Sequence, residues 1–374
     1  MPKILHVVSS LKKNGTETFI MNIFRHINHN KFSFDFLTFS DKKEGFYDEI
    51  ISLGGQIYNI PPRRKGILSY HKNLKNFFSD HSDEYDAVHL HGMSLTTIAP
   101  LYYSKKYGIK QRIMHIHGAT CEGINNKILH RLNKQRISKI ATHWLGCSCS
   151  ALDWGYKNLA CRRKGIIIKN GIDIQKFRYQ QNIREQVRSS LNLKPDTLVI
   201  GHIGTFNALK NHDFLIDVFQ QVHKQKKDSK LICVGEGQLM DSVRMKVNKY
   251  NLDDDVLFLG KVDNVHQLLN AFDIFVFPSL SEGLGFVALE AQANGLPGIA
   301  STGVPSDVSL SKHFLRIPLT NGKDYWGDQI IKLAEYGRNE IDNESPIFNF
   351  SIDNTIRQIE ELYSEGEKIN ANTN

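Results

Sequence analysis

One stretch, Phe277–Pro297 with the sequence FPSLSEGLGFVALEAQANGLP, constrains the fold more than any other part of the chain. The apolar run that begins at Ile274 predicts a buried parallel strand, and Pro278 ends it because proline cannot donate to a sheet ladder. A glycine-bearing loop follows. A helix is then predicted from about Phe286 to Asn294, with Gly295 as its C-terminal cap. A strand, a glycine loop and a helix in this order are typical of α/β domains that bind ligands at strand ends.

Two carboxylates lie on this stretch, eight positions apart. Glu282 is in the loop and Glu290 is in the helix. The free N–H groups at a helix start can bind an anion such as a diphosphate, and carboxylates can accept hydrogen bonds from sugar hydroxyls. Two glutamates by themselves are usually solvated surface residues. Their combination with the proline, the glycines and the apolar strand favours a ligand site.

The segments PSLSEG and LEAQANGLP closely resemble the E-x7-E signature of glycosyltransferase family 4, the retaining nucleotide-sugar transferases with the GT-B fold. The resemblance implies that Glu290 binds the nucleotide ribose and that Glu282 faces the donor sugar and phosphates. It also implies donor contacts from the loop and helix start, at Gly283, Leu284, Gly285 and Phe286. The expected fold class is α/β, with two Rossmann-like doubly wound domains of the GT-B type facing a central cleft.

Strands alternate with helices along the chain, which predicts parallel sheets covered on both sides, and 374 residues suffice for two domains. The first strand is followed by Asn14-Gly15-Thr16-Glu17, and we expect Gly15 and Thr16 to contact the ligand at the start of the next helix. Family members usually have a glycine where this chain has Asn14. The turn Asn170-Gly171-Ile172-Asp173 resembles the family's hinge between domains. We therefore predict an acceptor-binding domain over 1–173, a nucleotide-sugar-binding domain over 174–345, and a segment over 346–374 whose helix returns to the N-terminal domain.

The second predicted domain opens with a segment that resembles the family's phosphate-binding element. A glycine ends its first strand and Lys210 lies at the start of the next helix, where the resemblance implies that it neutralises the diphosphate. Many members place an arginine directly after this glycine, and this chain has Thr205. Gly235-Glu236-Gly237 resembles the family's glycine-rich turn, and the backbone after Gly260 would face the base. The predicted donor contacts here are Gly204, Thr205, Lys210, Gly235, Gly237 and Lys261.

Two predicted strands end in His-x-His-Gly, with His89 and His91 in one and His115 and His117 in the other. Alternate residues of a strand face the same side, so each pair could contribute to a metal site. No carboxylate or cysteine accompanies either pair at a recognisable spacing, and we predict no metal. The family resemblance implies instead that His117 faces the donor sugar and the reaction centre. His115 is the alternative register, and His91 is expected near the cleft.

Composition limits the class of protein and its partners. Hydrophobic content is 41% and charged content 23%, a globular profile, and no apolar run is long enough for a transmembrane helix or a signal peptide. The net charge is +8, with basic clusters at 63–65, 127–139 and 162–164. No nucleic-acid-binding motif accompanies them, so no nucleic acid is expected as a partner. The clusters suit either a solvated surface or an anionic membrane face, and we expect a cytoplasmic protein, peripheral on the inner face of the plasma membrane.

Together these features predict a retaining glycosyltransferase. It would move a sugar from a nucleotide-sugar, by resemblance a UDP-sugar, to a hydroxyl of a glycan or polyprenyl-linked acceptor in cell-surface polysaccharide synthesis. The predicted catalytic residues are His117, Glu282 and Lys210, with no metal and no cofactor besides the donor itself. Two alternatives stay open. One is a GT-B nucleotide-sugar epimerase, in which carboxylates and histidines act as acid and base, and the other is an inactive nucleotide-sugar-binding subunit, which Thr205 would suit.

Overall fold

A computed structural model describes residues 1–118, 121, 123–156, 163–342 and 344–371. The chain divides into two compact units. Unit 1 comprises Met1–Gly171 together with the C-terminal segment from Ile352, and unit 2 comprises Ile172–Ser351. Each unit has its own parallel sheet, which confirms the expected α/β class with two Rossmann-like sheets.

The sheet of unit 1 has seven parallel strands. They are β1 (Lys3–Val8), β2 (Ser33–Thr38), β3 (Ile57–Asn59), β4 (Ala87–Gly92), β5 (Gln111–Ile116), β6 (His143–Gly146) and β7 (Ile166–Ile167). Their order across the sheet is β3-β2-β1-β4-β5-β6-β7. The order reverses between β1 and β4, and doubly wound sheets bind ligands at the carboxyl ends of strands at such a point. The central strands are buried on both faces, which explains their apolar sequences.

The helices of unit 1 cover both faces of this sheet. Among the described residues they are α1 (Gly15–His26), α2 (Tyr47–Ser52), α3 (Ile67–His81), α4 (Ala99–Lys106), α5 (Ile124–Ile140), α6 (Cys149–Gly155) and the C-terminal helix (Ile352–Ala371). Helix α1 forms because its apolar residues recur at helical spacing and bury one face, with Phe19, Ile23 and Phe24 almost fully inaccessible. It packs against the C-terminal helix.

The sheet of unit 2 has six parallel strands. They are β8 (Leu198–Ile203), β9 (Ser229–Val234), β10 (Val256–Phe258), β11 (Ile274–Phe277), β12 (Gly298–Ser301) and β13 (Phe314–Ile317). Their order is β10-β9-β8-β11-β12-β13, so the reversal falls between β8 and β11. The loops that follow these two strands contain Lys210 and Glu282, and the topology alone therefore brings both residues to one edge of the sheet.

The helices of unit 2 are α7 (Ile174–Phe177), α8 (Gln181–Ser190), α9 (His212–Gln225), α10 (Met240–Lys249), α11 (Val265–Leu268), α12 (Phe286–Ala293) and α13 (Gly322–Ala334). Helix α12 begins at the predicted residue. Gly295, with φ +77°, follows its C-terminus, and a side chain there would lie 2.4 Å from the carbonyl oxygen of Asn339. None of the described helices is both long and apolar enough to cross a membrane.

Candidate functional site

The loop between β11 and α12 forms the centre of the candidate site in unit 2. Two neighbouring loops hold its backbone: Glu282 N donates to the Gly303 carbonyl oxygen over 3.1 Å, and Leu280 N donates to the Leu209 carbonyl oxygen over 2.7 Å. Gly285 caps α12 with φ +83°, a left-handed conformation that favours glycine. The loop is therefore fixed from both sides before any ligand binds.

Lys210 and Glu282, two of the predicted catalytic residues, contact each other directly. Lys210 Nζ lies 2.6 Å from Glu282 Oε1, and their side chains are only 20% and 11% exposed. The same ammonium lies 4.8 Å from the centre of the Phe277 ring, within cation–π range. Asn207 fixes the backbone beneath it, because its side-chain oxygen accepts a hydrogen bond from Lys210 N over 3.2 Å. The pair places a cation and a carboxylate at the carboxyl end of the sheet.

Glu290 lies on α12 and is half-buried. Its carboxylate has no hydrogen-bond partner among the residues that the structure describes. Burial raises the pKa of Glu290 to about 7, and the positive charge of Lys176 on α7 opposes this shift. A carboxylate that lacks donors is suited to a ligand that brings them, and two adjacent hydroxyls of a ribose are such donors.

Glycines line the neighbouring turns because the backbone there leaves no room for side chains. A Cβ at Gly235 would lie 2.2 Å from the Gly204 carbonyl oxygen, and a Cβ at Gly237 would lie 2.4 Å from the Phe206 carbonyl oxygen. Gly235 N also donates to the Gly260 carbonyl oxygen over 2.8 Å. The loops that follow β8, β9 and β10 therefore pack tightly together and present backbone groups at the sheet edge.

The remaining predicted donor contacts of unit 2 differ in what they can offer. Thr205, Lys261 and Gly283 are exposed, so all three residues are accessible to a ligand. Leu284 is only 7% exposed and its side chain belongs to the hydrophobic core, which leaves its backbone as the part that could contact a donor. Phe286 is half-buried at the first position of α12. The ensemble suits a diphosphate, with a cation beside a helix start and a carboxylate for hydroxyls.

Unit 1 contains a cavity of about 280 Å³ where β1 and β4 end. Its polar lining residues include Ser9, Thr16, Glu17, His91, Ser94 and Thr97. Of the two predicted contacts in this loop, Thr16 lines the cavity and Gly15 lies exposed at the start of α1. Glu17 is 6% exposed, and burial raises the pKa of its carboxyl group. Sequence reasoning did not select Glu17, although its position directly after Thr16 was an available signal.

Five histidines lie together in the core of unit 1. The four that were predicted, His89, His91, His115 and His117, are joined by His6 on β1, and all five are at most 7% exposed. Burial lowers the pKa of His6 and of His117 to about 3 and lowers the pKa values of the other three well below the usual range. The imidazoles are therefore neutral at physiological pH. His6 was missed because it stands alone on its strand.

The same histidines form two groups whose nitrogens come within 4.8 Å of one another. One comprises His6, His89 and His91, and the other comprises His91, His115 and His117. Both groups consist of imidazoles alone. Most of the ring nitrogens already take part in hydrogen bonds, so a metal ion would have to displace some of these bonds and would meet no negative charge within either group.

A second cavity of about 970 Å³ adjoins the first in unit 1, since Thr96 and Thr97 line both. Its lining combines cationic and apolar side chains, among them Arg63, Lys105, Lys106, Arg136, Lys139, Ile98, Tyr102, Leu129 and Ile140. We call this surface the basic groove. It contains parts of two of the predicted basic clusters, and Arg162 of the third lies outside the described residues. Helices α3 and α5, which border it, also expose Leu68 (85%) and Ile124 (78%).

Known protein families match both units. Residues 13–176 match the family model described as Glycosyltransferase Family 4, and residues 197–335 match the model described as Glycosyl transferases group 1. The chain is 31% identical to the putative glycosyltransferase EpsF of Bacillus subtilis over 90% of this chain and 88% of that protein. It is 23% identical to the capsular polysaccharide biosynthesis glycosyltransferase CapH of Staphylococcus aureus over 97% and 99% of the two chains.

Two further similarities are to a bacterial galactosyltransferase and to a solved structure with bound UDP. The UDP-Gal:alpha-D-GlcNAc-diphosphoundecaprenol alpha-1,3-galactosyltransferase of Escherichia coli is 28% identical over 63% of this chain and 61% of its own length. The structure of Alr3699/HepE from Anabaena in complex with UDP superposes with a TM-score of 0.77 at 18% identity, over 98% of this chain and 100% of that one. The length and identity of the match to EpsF, with the two family models, establish that the chain belongs to glycosyltransferase family 4 and is a glycosyltransferase with the GT-B fold.

Proposed function

We propose that the chain is a retaining, metal-independent glycosyltransferase that uses a UDP-sugar and a lipid-linked glycan acceptor in cell-surface polysaccharide synthesis. The observation that carries this proposal is the mostly buried Lys210–Glu282 ion pair between the glycine turns and the start of α12. Such a site offers a fixed positive charge and free helix N–H groups to a diphosphate. The HepE complexes with UDP and with UDP-glucose favour uridine as the nucleoside.

The donor would bind by exchange of ion-pair partners. The diphosphate would take the ammonium of Lys210, and Glu282 would turn to hydroxyls of the donor sugar. Glu290 would accept hydrogen bonds from the two ribose hydroxyls, which suits a carboxylate with no other partner. Gly235 and Gly237 would let the nucleotide approach the backbone closely.

In the transfer step the bond between the anomeric carbon and the β-phosphate oxygen breaks, and a bond from the acceptor oxygen to that carbon forms on the same face of the sugar. The acceptor's proton goes to the departing phosphate oxygen. Negative charge therefore grows on the diphosphate, and Lys210 with the start of α12 stabilises it without a metal ion. Thr205 contributes no charge where many family members have arginine, so Lys210 carries a larger share of this work. The contact of His117 with the donor sugar remains what the family resemblance implies.

Unit 1 would bind the acceptor. The small cavity beside Glu17 and His91 suits a sugar, and the basic groove that adjoins it offers cations for a diphosphate and apolar side chains for a lipid. The name of the Escherichia coli relative specifies a diphosphoundecaprenol-linked acceptor, which has both features. We therefore infer that this chain acts on a sugar linked through a diphosphate to a polyprenol, at an anionic membrane surface.

A two-stage experiment tests the proposal. Thermal shifts are first measured with UDP, GDP and ADP, each in EDTA, and only UDP should raise the Tm. The shift is large enough to measure, because a ligand at a hundred times its dissociation constant stabilises by about 2.7 kcal/mol. A panel of UDP-sugars is then incubated with the protein, with and without a polyprenyl-diphosphate-linked glycan. Release of UDP that depends on the acceptor, with an anomeric product of retained configuration, supports the proposal. Conversion of the donor alone would indicate an epimerase, and binding without turnover an inactive binding subunit.

A further inference from the structure

A short segment after β4, residues 93–98, forms the boundary between the two cavities of unit 1. Thr96 and Thr97 line both cavities, while Ser94 lines the small one and Ile98 lines the basic groove. We call residues 93–98 the dividing segment. A ligand that occupies both cavities therefore passes over Thr96 and Thr97, and what the protein offers on each side determines which part of the ligand lies there.

The dividing segment is fixed by hydrogen bonds from neighbouring helices. Leu95 is fully buried, its N–H donates to His130 Nδ1 over 3.0 Å, and its carbonyl oxygen accepts from Asn133 Nδ2 over 2.7 Å. Trp154 Nε1 donates to the Met93 carbonyl oxygen over 3.0 Å. Because both backbone groups of Leu95 have partners on α5, moving the segment would break two buried hydrogen bonds. The boundary between the cavities is therefore set before a ligand binds.

The two cavities differ in charge. The small cavity is lined by the carboxyl group of Glu17 and by the hydroxyls of Ser9 and Thr16, and none of its described lining residues is a lysine or arginine. The basic groove has the opposite character, because its described lining contains the cations named above and no aspartate or glutamate. A carboxylate repels phosphate and accepts hydrogen bonds from hydroxyls. A neutral sugar therefore suits the small cavity, and an anionic group suits the groove.

Arg63 places a cation of the groove at the boundary itself. Its Nη1 lies 3.4 Å from the Thr96 carbonyl oxygen, and its Nη2 lies 3.4 Å from Asn126 Oδ1. Both contacts are longer than the usual N–H···O range of about 2.7–3.2 Å, so the half-buried guanidinium can still form stronger bonds to a phosphate. An anion held by Arg63 would lie directly beside the dividing segment, next to the small cavity.

The volume of the small cavity limits how many sugars can precede that anion. It is about 280 Å³, just below the range of about 300–1,000 Å³ that is typical of pockets for drug-sized ligands. A single sugar ring suits this space and an oligosaccharide does not. In a sugar diphosphate the anomeric oxygen is bonded to phosphorus, so one ring in the small cavity brings its first phosphate to the boundary and to Arg63. A second sugar between them would move the phosphate one ring length further away.

We propose that the acceptor is a single sugar linked directly to a polyprenyl diphosphate, and that Arg63 is the residue that recognises its diphosphate. The proposal rests on the proposed function for the lipid-linked acceptor and adds the number of sugars. Such an acceptor must come from a phosphosugar transfer, in which an oxygen of polyprenyl phosphate attacks the sugar-bearing phosphorus of a nucleotide-sugar and a nucleoside monophosphate departs. This chain would then form the first bond between two sugars of the lipid-linked glycan.

Calorimetry of the full chain at pH 8, without a donor, measures acceptor binding separately from transfer. The probes are farnesyl diphosphate, the same compound carrying one glucose, galactose or N-acetylglucosamine, and forms with one more hexose inserted between that sugar and the diphosphate. We expect at least one of the one-sugar compounds to bind about tenfold more tightly than farnesyl diphosphate, because the sugar adds hydrogen bonds in the small cavity. The corresponding two-sugar compound should lose this gain.

Variants assign the two cavities to the two parts of the probe. Arg63→Gln should weaken binding of farnesyl diphosphate and of the one-sugar compound alike, by about tenfold to a hundredfold, because a charge-assisted contact is lost. Glu17→Gln should weaken only the one-sugar compound, by about tenfold, and Ser9→Ala in the same cavity replaces it if that variant does not fold. Lys75→Gln is the control, because it removes an exposed cation of α3 that is absent from the described lining of the groove, and binding should not change.

Three results would overturn the proposal: two-sugar compounds that bind as tightly as one-sugar compounds, no gain from a single sugar over farnesyl diphosphate, or equal effects of Arg63→Gln and Lys75→Gln. Transfer assays with UDP-sugars separate this inference from the proposed function. Transfer to two-sugar compounds but not to one-sugar compounds would contradict the inference and leave the proposed function standing. Selective binding of a one-sugar compound in a protein that transfers no sugar would contradict the proposed function and leave the two-cavity site standing.

Discussion

Lys210 Nζ lies 2.6 Å from Glu282 Oε1 at the carboxyl edge of the unit 2 sheet, and each group neutralises the other in a mostly buried place. Breaking such a pair leaves an uncompensated charge that must find a new partner. Under the proposed function, a bound diphosphate would provide that partner for the lysine, and sugar hydroxyls would provide it for the glutamate. The ion pair would then keep both groups neutralised until the donor binds.

The exchange of partners predicts that the two residues have opposite effects on UDP binding. Lys210→Gln should weaken UDP binding by about 1.5–3 kcal/mol, roughly tenfold to a hundredfold, because a charge-assisted contact to phosphate is lost. Glu282→Gln should leave UDP affinity equal or higher, since the lysine no longer has a competing carboxylate, while sugar transfer falls. Isothermal titration calorimetry with UDP and a transfer assay measure the two effects.

Lys230→Gln provides the control for this pair. It removes a different ion pair of unit 2, in which Lys230 Nζ lies 2.8 Å from Asp255 Oδ1, and should change neither binding nor transfer. If Glu282→Gln weakened UDP binding as much as Lys210→Gln does, the two residues would act as one structural unit and the exchange model would be wrong.

The raised pKa of Glu290 predicts that both the stability of the protein and its affinity for UDP depend on pH. The pKa of Glu290 is about 7 in the folded protein, against 4.5 for an ordinary glutamate, so the folded state retains a proton that the unfolded chain loses. The free energy of unfolding should therefore fall as pH rises between these two values. Ribose hydroxyls favour the ionised form, so UDP affinity should rise about tenfold from roughly pH 6 to pH 8. Thermal unfolding and calorimetry across this range measure both trends.

Glu290→Gln should remove both trends while keeping the shape of the side chain. This comparison also separates the contribution of Glu290 from the titration of the UDP phosphate itself, which is the same in both proteins. Glu335→Gln, at an exposed position after α13, is the control and should behave as the wild type does. Equal pH profiles for wild type and Glu290→Gln would show that the carboxyl group does not contact the nucleotide.

The packed glycine turn predicts that Gly235→Ala is damaging for steric reasons. The backbone there has φ +131°, and the new Cβ would lie 2.2 Å from the Gly204 carbonyl oxygen, so the loops after β8 and β9 must separate. We expect a lower Tm and a loss of the UDP-induced thermal shift.

Gly108→Ala is the control, because it tests backbone strain without a clash: Gly108 has φ +86° and nothing lies within 4 Å of its added Cβ. Its cost should be limited to about 1 kcal/mol and should not affect UDP binding. Equal effects of the two changes would refute the close packing.

The sequence predicted those parts of the fold that depend on local pattern. The helix at Phe286 was located from Pro278, Gly285 and the apolar period, because these residues restrict the backbone wherever they occur. The strand β13 carried no comparable signal, since FLRI is four residues long and only its ends are buried. Short edge strands are defined by the partner they pair with, which a single sequence does not show.

The candidate site was predictable to the extent that spacing encodes it. Glu282 and Glu290 lie eight positions apart on the loop and helix that follow β11, so their spacing in the sequence largely determines how far apart they lie in the structure. The contact of Lys210 with Glu282 joins two loops that are 72 positions apart, and it became visible only from the strand order. His6 stands alone on its strand, and its hydrogen bond to His91 likewise joins residues far apart in the sequence, so the pattern of β1 gave no sign of it.

The basic groove predicts selective binding to anionic membranes. Arg136 and Lys139 lie on α5 and line the groove, and each basic residue near an anionic surface contributes about 1 kcal/mol. Arg136→Gln combined with Lys139→Gln should therefore weaken binding to anionic vesicles by about 2 kcal/mol, roughly thirtyfold, in a flotation assay at low salt. Binding to neutral vesicles and the thermal shift with UDP should not change, because neither depends on this face of unit 1.

The control is Lys226→Gln combined with Lys227→Gln, which removes the same charge from an exposed loop of unit 2 and should have little effect on vesicle binding. If both double variants weakened vesicle binding equally, the attraction would depend on the net charge of +8, and the groove would have no special part in it.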